Sequence, residues 1–294
     1  MWSQNLAVLA FLGLISIVFG ILDGDPVEWA RHGYLVKVIG KAANGKGKAC
    51  TGAIISGNFI LTSPECVWDP EIEQNIEEFA ILTSLRTYSR RLMGLLLMKT
   101  EKWAVLRIKE IDSSVLCPPP PQPPRVLRMN IVPSLTKQVM IDVTENDILY
   151  SKCYLLGFKT EDPDKFYGQK KVYRLDLNPL KEPRYGEDLY HSKIDDGFTA
   201  CYEDVGSPLI CNTLEKGTMV VGLFKSLNHL VPDNATELTT PESTIEAACS
   251  NAYEMNFDFI VNDERFLKLI EDHGISSYVN AYKACGFMNS DDEA

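Results

Sequence analysis

The sequence predicts an all-β protein: two successive β units, a proline-rich crossing between them and one helix near the end. Three observations carry that expectation. Short runs of β-branched, aliphatic and aromatic residues recur with turn residues between them, the pattern of sandwiches and barrels. Pro118 to Pro124 reads PPPPQPP, a stretch that lacks the amide hydrogens of a sheet ladder and divides the runs into two groups. Asn262-Asp263 precedes an apolar face of Phe266, Leu267, Leu269 and Ile270, the arrangement of a capped amphipathic helix.

In chain order, Leu6 to Phe19 is an uncharged apolar run ending at Gly20. It falls short of the roughly 20 residues that span a bilayer, so residues 1–20 read as a cleaved secretory signal. No Lys or Arg precedes the run, which keeps a signal anchor or a buried helix as the competing reading. The first β group comprises Tyr34 to Ile39, Gly52 to Ile55, Phe59 to Thr62, Phe79 to Leu82 and Trp103 to Ile108. The second comprises Tyr154 to Phe158, Lys171 to Leu177, Pro208 to Cys211, Met219 to Phe224 and Tyr253 to Ile260.

Composition narrows the partners. The formal net charge of -11 over 294 residues argues against nucleic acid, whose phosphates require a basic face. A membrane partner is not expected once the signal is removed. The eight cysteines form an even set, consistent with pairing in an oxidising compartment. Neither a CxxC pair nor a His/Cys cluster appears, so no metal or other cofactor is expected. Asn234-Ala235-Thr236 is an N-glycosylation sequon.

Four separated stretches then line up with one family. CTGAIISGNFILTSPEC, KWAVLRI, CYLLGFKT and CYEDVGSPLIC resemble the trypsin/chymotrypsin-like serine proteases, in that family's order and at about its spacing. The resemblance implies two six-stranded antiparallel Greek-key β-barrels with a C-terminal α-helix. It sets a domain over residues 21–273, with a first barrel at about 21–117, the linker 118–124, a second barrel at about 125–260, a helix at about 262–273 and a tail 274–294.

Catalysis in that family needs a histidine base, an aspartate to orient it and a serine nucleophile. Here those positions hold Glu65, Lys102 and Val205. An isopropyl group has no lone pair to attack with, so the resemblance implies the fold and denies the reaction. Glu65 and Lys102 are expected to form an ion pair across the old cleft or to have drifted. The oxyanion-hole positions hold Glu203 and Val205, and a Glu203 carboxylate would oppose a developing negative charge. The pocket base is Thr199, and the segment that receives substrate backbone reads Lys225-Ser226-Leu227, with Leu227 narrowing the entrance.

Other family features are retained. Asp204 occupies the position that pairs with a freed N-terminal amine, and Ile21-Leu22-Asp23-Gly24 resembles the segment that supplies it. Signal cleavage after Gly20 would thus create the buried terminus directly, pairing Ile21 with Asp204. The resemblance implies disulfides Cys50–Cys66, Cys153–Cys211 and Cys201–Cys249, and leaves Cys117–Cys285 by elimination. The expectation is a secreted, inactive protease homologue that binds a protease, a zymogen or an inhibitor. A hydrolase with a relocated site and a structural or storage protein are the alternatives.

Overall fold

The computed structural model describes residues 21–22, 24–41, 47–56, 58–83, 92–108, 137–159, 171–184, 188–195, 199–229 and 249–273. The signal segment, the proline linker, Cys117, Cys285, Asn234 and the tail from residue 274 lie outside these residues. The first unit is a closed barrel. Its strands are β2 (Leu35–Lys41), β3 (Gly47–Ser56), β4 (Phe59–Thr62), β7 (Glu78–Leu82), β8 (Leu92–Lys99) and β9 (Ala104–Ile108), ordered β2-β3-β4-β9-β8-β7. All pair antiparallel, for example Val38 opposite Cys50 and Leu61 opposite Val105. Closure leaves no strand edge open to another chain. Val38, Ile54, Leu61, Phe79, Ile81 and Leu106 are buried in its core. A short hairpin, β5 (Trp68–Asp69) with β6 (Gln74–Asn75), stands outside the barrel.

The second unit is a seven-stranded antiparallel sheet, where six strands were expected. Its strands are β1 (Asp25–Val27), β10 (Ile148–Lys159), β11 (Lys171–Asp176), β12 (Leu189–Lys193), β13 (Pro208–Thr213), β14 (Thr218–His229) and β15 (Ala252–Phe259), ordered β1-β11-β10-β13-β14-β15-β12. The extra strand comes from the start of the chain, where Asp25, Pro26 and Val27 pair with Arg174, Tyr173 and Val172. Leu22 and Asp25–Val27 therefore lie on the second unit, and the first barrel begins at Leu35. Beyond β11, Lys181 exchanges two backbone hydrogen bonds with His191 of β12, which draws the two ends of the sheet toward each other.

Five strands were missed by the pattern of the sequence: β8, β12, β1 and the two-residue β5 and β6. In β8, LMGLLLMK is built of Leu and Met, better helix formers than strand formers, and its pairing with β7 and β9 overrides that propensity. In β12, LYHSK carries its buried positions on His191 and Ser192, which an apolar pattern does not detect. β1 is only three residues long. The helix α1 (Lys137–Asp142) is likewise below the length that periodicity resolves.

The late helix forms as its residues dictate. α2 (Glu264–Asp272) starts at Asp263, whose side chain accepts a hydrogen bond from the Phe266 amide at 2.9 Å. Phe266, Leu269 and Ile270 are buried, and the Phe266 ring meets Trp103 edge-on at 5.2 Å. Asp263→Ala should lower stability by about 1 kcal/mol, the usual worth of a cap. The shift of the denaturant midpoint measures it, and an unchanged midpoint would show the cap to be dispensable.

Candidate functional site

Glu65 stands on the 3-10 turn Pro64–Val67, where Ser63 Oγ accepts its amide hydrogen at 3.3 Å. The Cys50–Cys66 disulfide fastens this turn to β3, and the Glu65 side chain faces solvent. The carbonyl oxygen of Val205 lies 3.4 Å from Cys66 Sγ, so the turns that hold Glu65 and Val205 are in contact.

Lys102 lies in the loop before β9, its amide hydrogen accepted by Thr100 Oγ1 at 3.3 Å. Its ammonium pairs with Asp188 at 3.5 Å, not with Glu65. That corrects the expected ion pair: Glu65 is drawn to solvent by its turn, while Asp188 is brought to Lys102 at the head of β12. With both partners part-exposed, Lys102→Ala should change stability by less than about 1 kcal/mol in thermal unfolding. A larger loss would mean that Lys102 carries packing its solvent-facing position does not indicate.

Two of the three positions matched to the family's triad, Lys102 and Glu65, act electrostatically on Asp258 of β15. This buried carboxylate pairs with Lys225 at 3.1 Å. Burial pushes its pKa up to about 6, opposed by the charge and hydrogen bond of Lys225 and by Lys102, and reinforced by Glu65. A cavity of about 360 Å³ opens beside Lys102, lined also by Glu145, Glu182, Asp188, Tyr190 and Phe259. Tyr190 stacks on Phe259 at 3.7 Å and donates to Glu145 at 3.0 Å.

The turn Cys201–Ser207 is tied from both units. Tyr202–Asp204 form a 3-10 turn, and the Val205 amide hydrogen is taken by the Tyr202 carbonyl at 3.4 Å. From β3, the Thr51 amide donates to the Val205 carbonyl at 2.9 Å, and Thr51 Oγ1 donates to the Glu203 carbonyl at 2.9 Å. On the other side, Gly206 N–H donates to Phe224 O at 2.9 Å. Gly206 adopts φ +85°, and a Cβ there would collide with the Thr51 carbonyl and the Thr62 hydroxyl.

The Glu203 carboxylate does not point at the oxyanion position, as the sequence led us to expect. It turns inward and ion-pairs with Lys37 of β2, a lysine of zero exposure. Lys37 Nζ also donates to the Glu203 carbonyl at 3.3 Å and lies 5.6 Å from the Phe158 ring. A buried cation is stable only with such partners.

Asp204 is fully buried and accepts the amide hydrogens of Phe158 at 3.1 Å and Cys201 at 2.9 Å. Burial pushes its carboxyl up to about 7, against the pull of Lys37 and the Cys201 amide. Ile21 is also buried, and the Leu22 amide donates to Thr199 O at 2.8 Å. Any Cβ on Gly157 would collide with both Asp204 and Ile21, so the two side chains pack on one glycine.

Thr199 is buried with its hydroxyl bonded to Ala200 O at 2.9 Å. Ser226 Oγ accepts from Asn256 at 3.1 Å, in a polar network where Arg184 holds Glu254 at 2.8 Å and His191 meets Asn256 at 2.9 Å. Leu227 packs against Leu22 and the Cys201–Cys249 pair. Among the described residues the expected disulfides Cys50–Cys66, Cys153–Cys211 and Cys201–Cys249 are present, and the expected Cys117–Cys285 lies outside them. Among the described residues no group of three or more His, Cys, Asp and Glu side chains could hold a metal ion.

Sequence reasoning missed Lys37, Thr51 and Tyr202. The available signal was one lysine inside the apolar run YLVKVI. No protein-family model matches the chain, and no curated protein matches it. Among solved structures, "HL collagenase", a trypsin-like serine protease, superposes with a TM-score of 0.53 at 12% identity, covering 87% of this chain and 100% of the collagenase. At that identity the likeness speaks for architecture alone. With the closed barrel, the second large sheet and the C-terminal helix, it shows that this chain has the trypsin-like double-barrel fold.

Proposed function

We propose that this protein is a secreted, catalytically inactive trypsin-like homologue that acts by binding another protein. One observation carries the reading: the turn Cys201–Ser207 keeps its architecture while position 205 offers neither a nucleophile nor a free amide for an oxyanion. Val205 has no group that can attack a carbonyl, and its amide hydrogen is already accepted by Tyr202 O at 3.4 Å. An oxyanion hole works through donors left free and aimed at the developing charge. Glu65 faces solvent and Lys102 is paired with Asp188, so neither can serve as a general base for a neighbouring hydroxyl.

Secretion is supported by the apolar start of the chain and by three disulfides, which persist in oxidising compartments. No helix among the described residues is long and apolar enough to cross a membrane. The burial of Ile21 beside Asp204 favours signal cleavage after Gly20, with the new amine entering the Asp204 site. N-terminal sequencing of the secreted protein should return Ile21 first, and any other start removes this part of the reading.

A partner that is a trypsin-like protease, its zymogen or its inhibitor fits a scaffold of this shape. Immobilised native protein, exposed to active trypsin-like proteases, their zymogens and their inhibitors from the same fluid, should retain one of them saturably. It should also change that partner's rate of activation or hydrolysis. Retention of none of the three classes, or binding without effect on proteolysis, would overturn the regulatory role.

A further inference from the structure

We propose that Lys37 is a built-in lock, which by pairing with Glu203 sets the turn Cys201–Ser207 in its closed form as the chain folds, with no proteolytic trigger. Lys37 and Thr51 of the first barrel together hold Glu203 and Val205 of this turn. Lys37 Nζ binds the Glu203 carboxylate and, at 3.3 Å, its carbonyl. Thr51 Oγ1 takes the same carbonyl at 2.9 Å, and the Thr51 amide takes that of Val205 at 2.9 Å. With the Glu203 side chain and carbonyl both drawn toward the first barrel, the peptide before it is left with the Tyr202 carbonyl on the Val205 amide.

Two acidic residues sit side by side in this buried turn, and Lys37 is the cation that compensates them. It is bonded to Glu203 and lowers the electrostatic cost of Asp204. None of the contacts that Lys37 and Thr51 make with the turn involves residue 21, so they hold it whatever the state of the Ile21 nitrogen. Freeing the Ile21 amine would add a second cation to a turn already set. The lock holds whether or not the cleft binds a partner, and only the choice of Ile21 as one starting residue rests on the processing proposed above.

Four proteins test it: chains starting at Ile21 or at Gly20, each with the native pair or with Lys37→Met/Glu203→Leu, which removes both charges together. Amide exchange at Asp204, Val205 and Gly206 is the readout. With the native pair, the two starts should exchange within about threefold of each other. In the double variant starting at Gly20, exchange should rise at least about tenfold: no unpaired charge is left behind, but the hydrogen bonds of Lys37 to the Glu203 carboxylate and carbonyl are gone. Opening of about 100-fold in the native-pair chain on going from the Ile21 to the Gly20 start would assign the turn to the amine and overturn the lock. Native-level protection in the double variant starting at Gly20 would also overturn it. Should the double variant fail to fold, Glu203→Gln keeps the shape and removes the anion. It should raise the same rates at least about tenfold, and unchanged rates there would equally refute the lock.

Discussion

Gly206→Ala should destabilise the protein by about 2–5 kcal/mol, a large loss for the addition of a single methyl group. Two costs combine. At φ +85°, an L-residue pays about 1–2 kcal/mol for the left-handed backbone. The added Cβ would also collide with the Thr51 carbonyl and the Thr62 hydroxyl and sit 2.9 Å from the Ser63 amide. Overpacking of that kind costs about 1–3 kcal/mol more, and none of these neighbours is the free end of a flexible side chain. Gly217 is the control, since it has φ +73° and nothing within 4 Å of the position a Cβ would take. Gly217→Ala should therefore lose only the backbone share, about 1–2 kcal/mol. Urea unfolding of both variants separates the terms, and equal losses would show that the Gly206 turn is not packed against the first barrel.

The second large effect depends on pH and on Asp204. With a carboxyl raised to about 7 in the folded chain against an ordinary 3.8, the folded state binds more protons than the unfolded state between those limits. Stability should therefore fall as pH rises through that window, by at most roughly 4 kcal/mol, and level off above it. This holds for a chain starting at Gly20, where burial is opposed only by Lys37 and the backbone amides. In a chain starting at Ile21, the free amine supplies a buried cation, favours the carboxylate and should flatten or reverse the slope. Asp258, raised to about 6 by burial, contributes in the same direction up to that value, so Asp204→Asn is needed as the reference. Denaturant unfolding from pH 4 to 8 should show the Asp204 component disappear in that variant. A slope unchanged by Asp204→Asn would place the titration elsewhere.

Much of the fold was legible because its determinants are local or spaced by motif. The Asn262-Asp263 start of the last helix, the runs around Phe59 and Met219, and the cysteines of the second barrel all emerged where the sequence pointed. The misses have physical reasons. β8 is written in helix-forming Leu and Met and becomes a strand only through its neighbours. β12 buries His191 and Ser192, whose satisfaction by Lys181, Asn178 and Asn256 is invisible in one dimension.

At the site, the sequence matched Glu65, Lys102 and Val205 to the family's triad positions but carried no sign of their contacts. Lys102 chose Asp188, 86 positions away in sequence, over the nearer Glu65. Lys37 lies 166 residues from Glu203, and alternation within β2 gives no reason for a lysine there to be buried. Only the approach of the second unit covers it. The reversal of Glu203, from a charge facing the cleft to one facing the core, follows from that single partner.

The claim that this scaffold keeps its architecture without the chemistry is tested most directly by covalent titration. Native protein and Val205→Ser, each treated with a fluorophosphonate, are weighed intact by mass spectrometry. Neither should gain an adduct: the first has no hydroxyl at position 205 and its Ser207 is fully buried, and in the second the restored hydroxyl has no base and an amide hydrogen already held by Tyr202. A stoichiometric adduct on the native protein would contradict the account outright, and one on Val205→Ser would show that the turn was never closed.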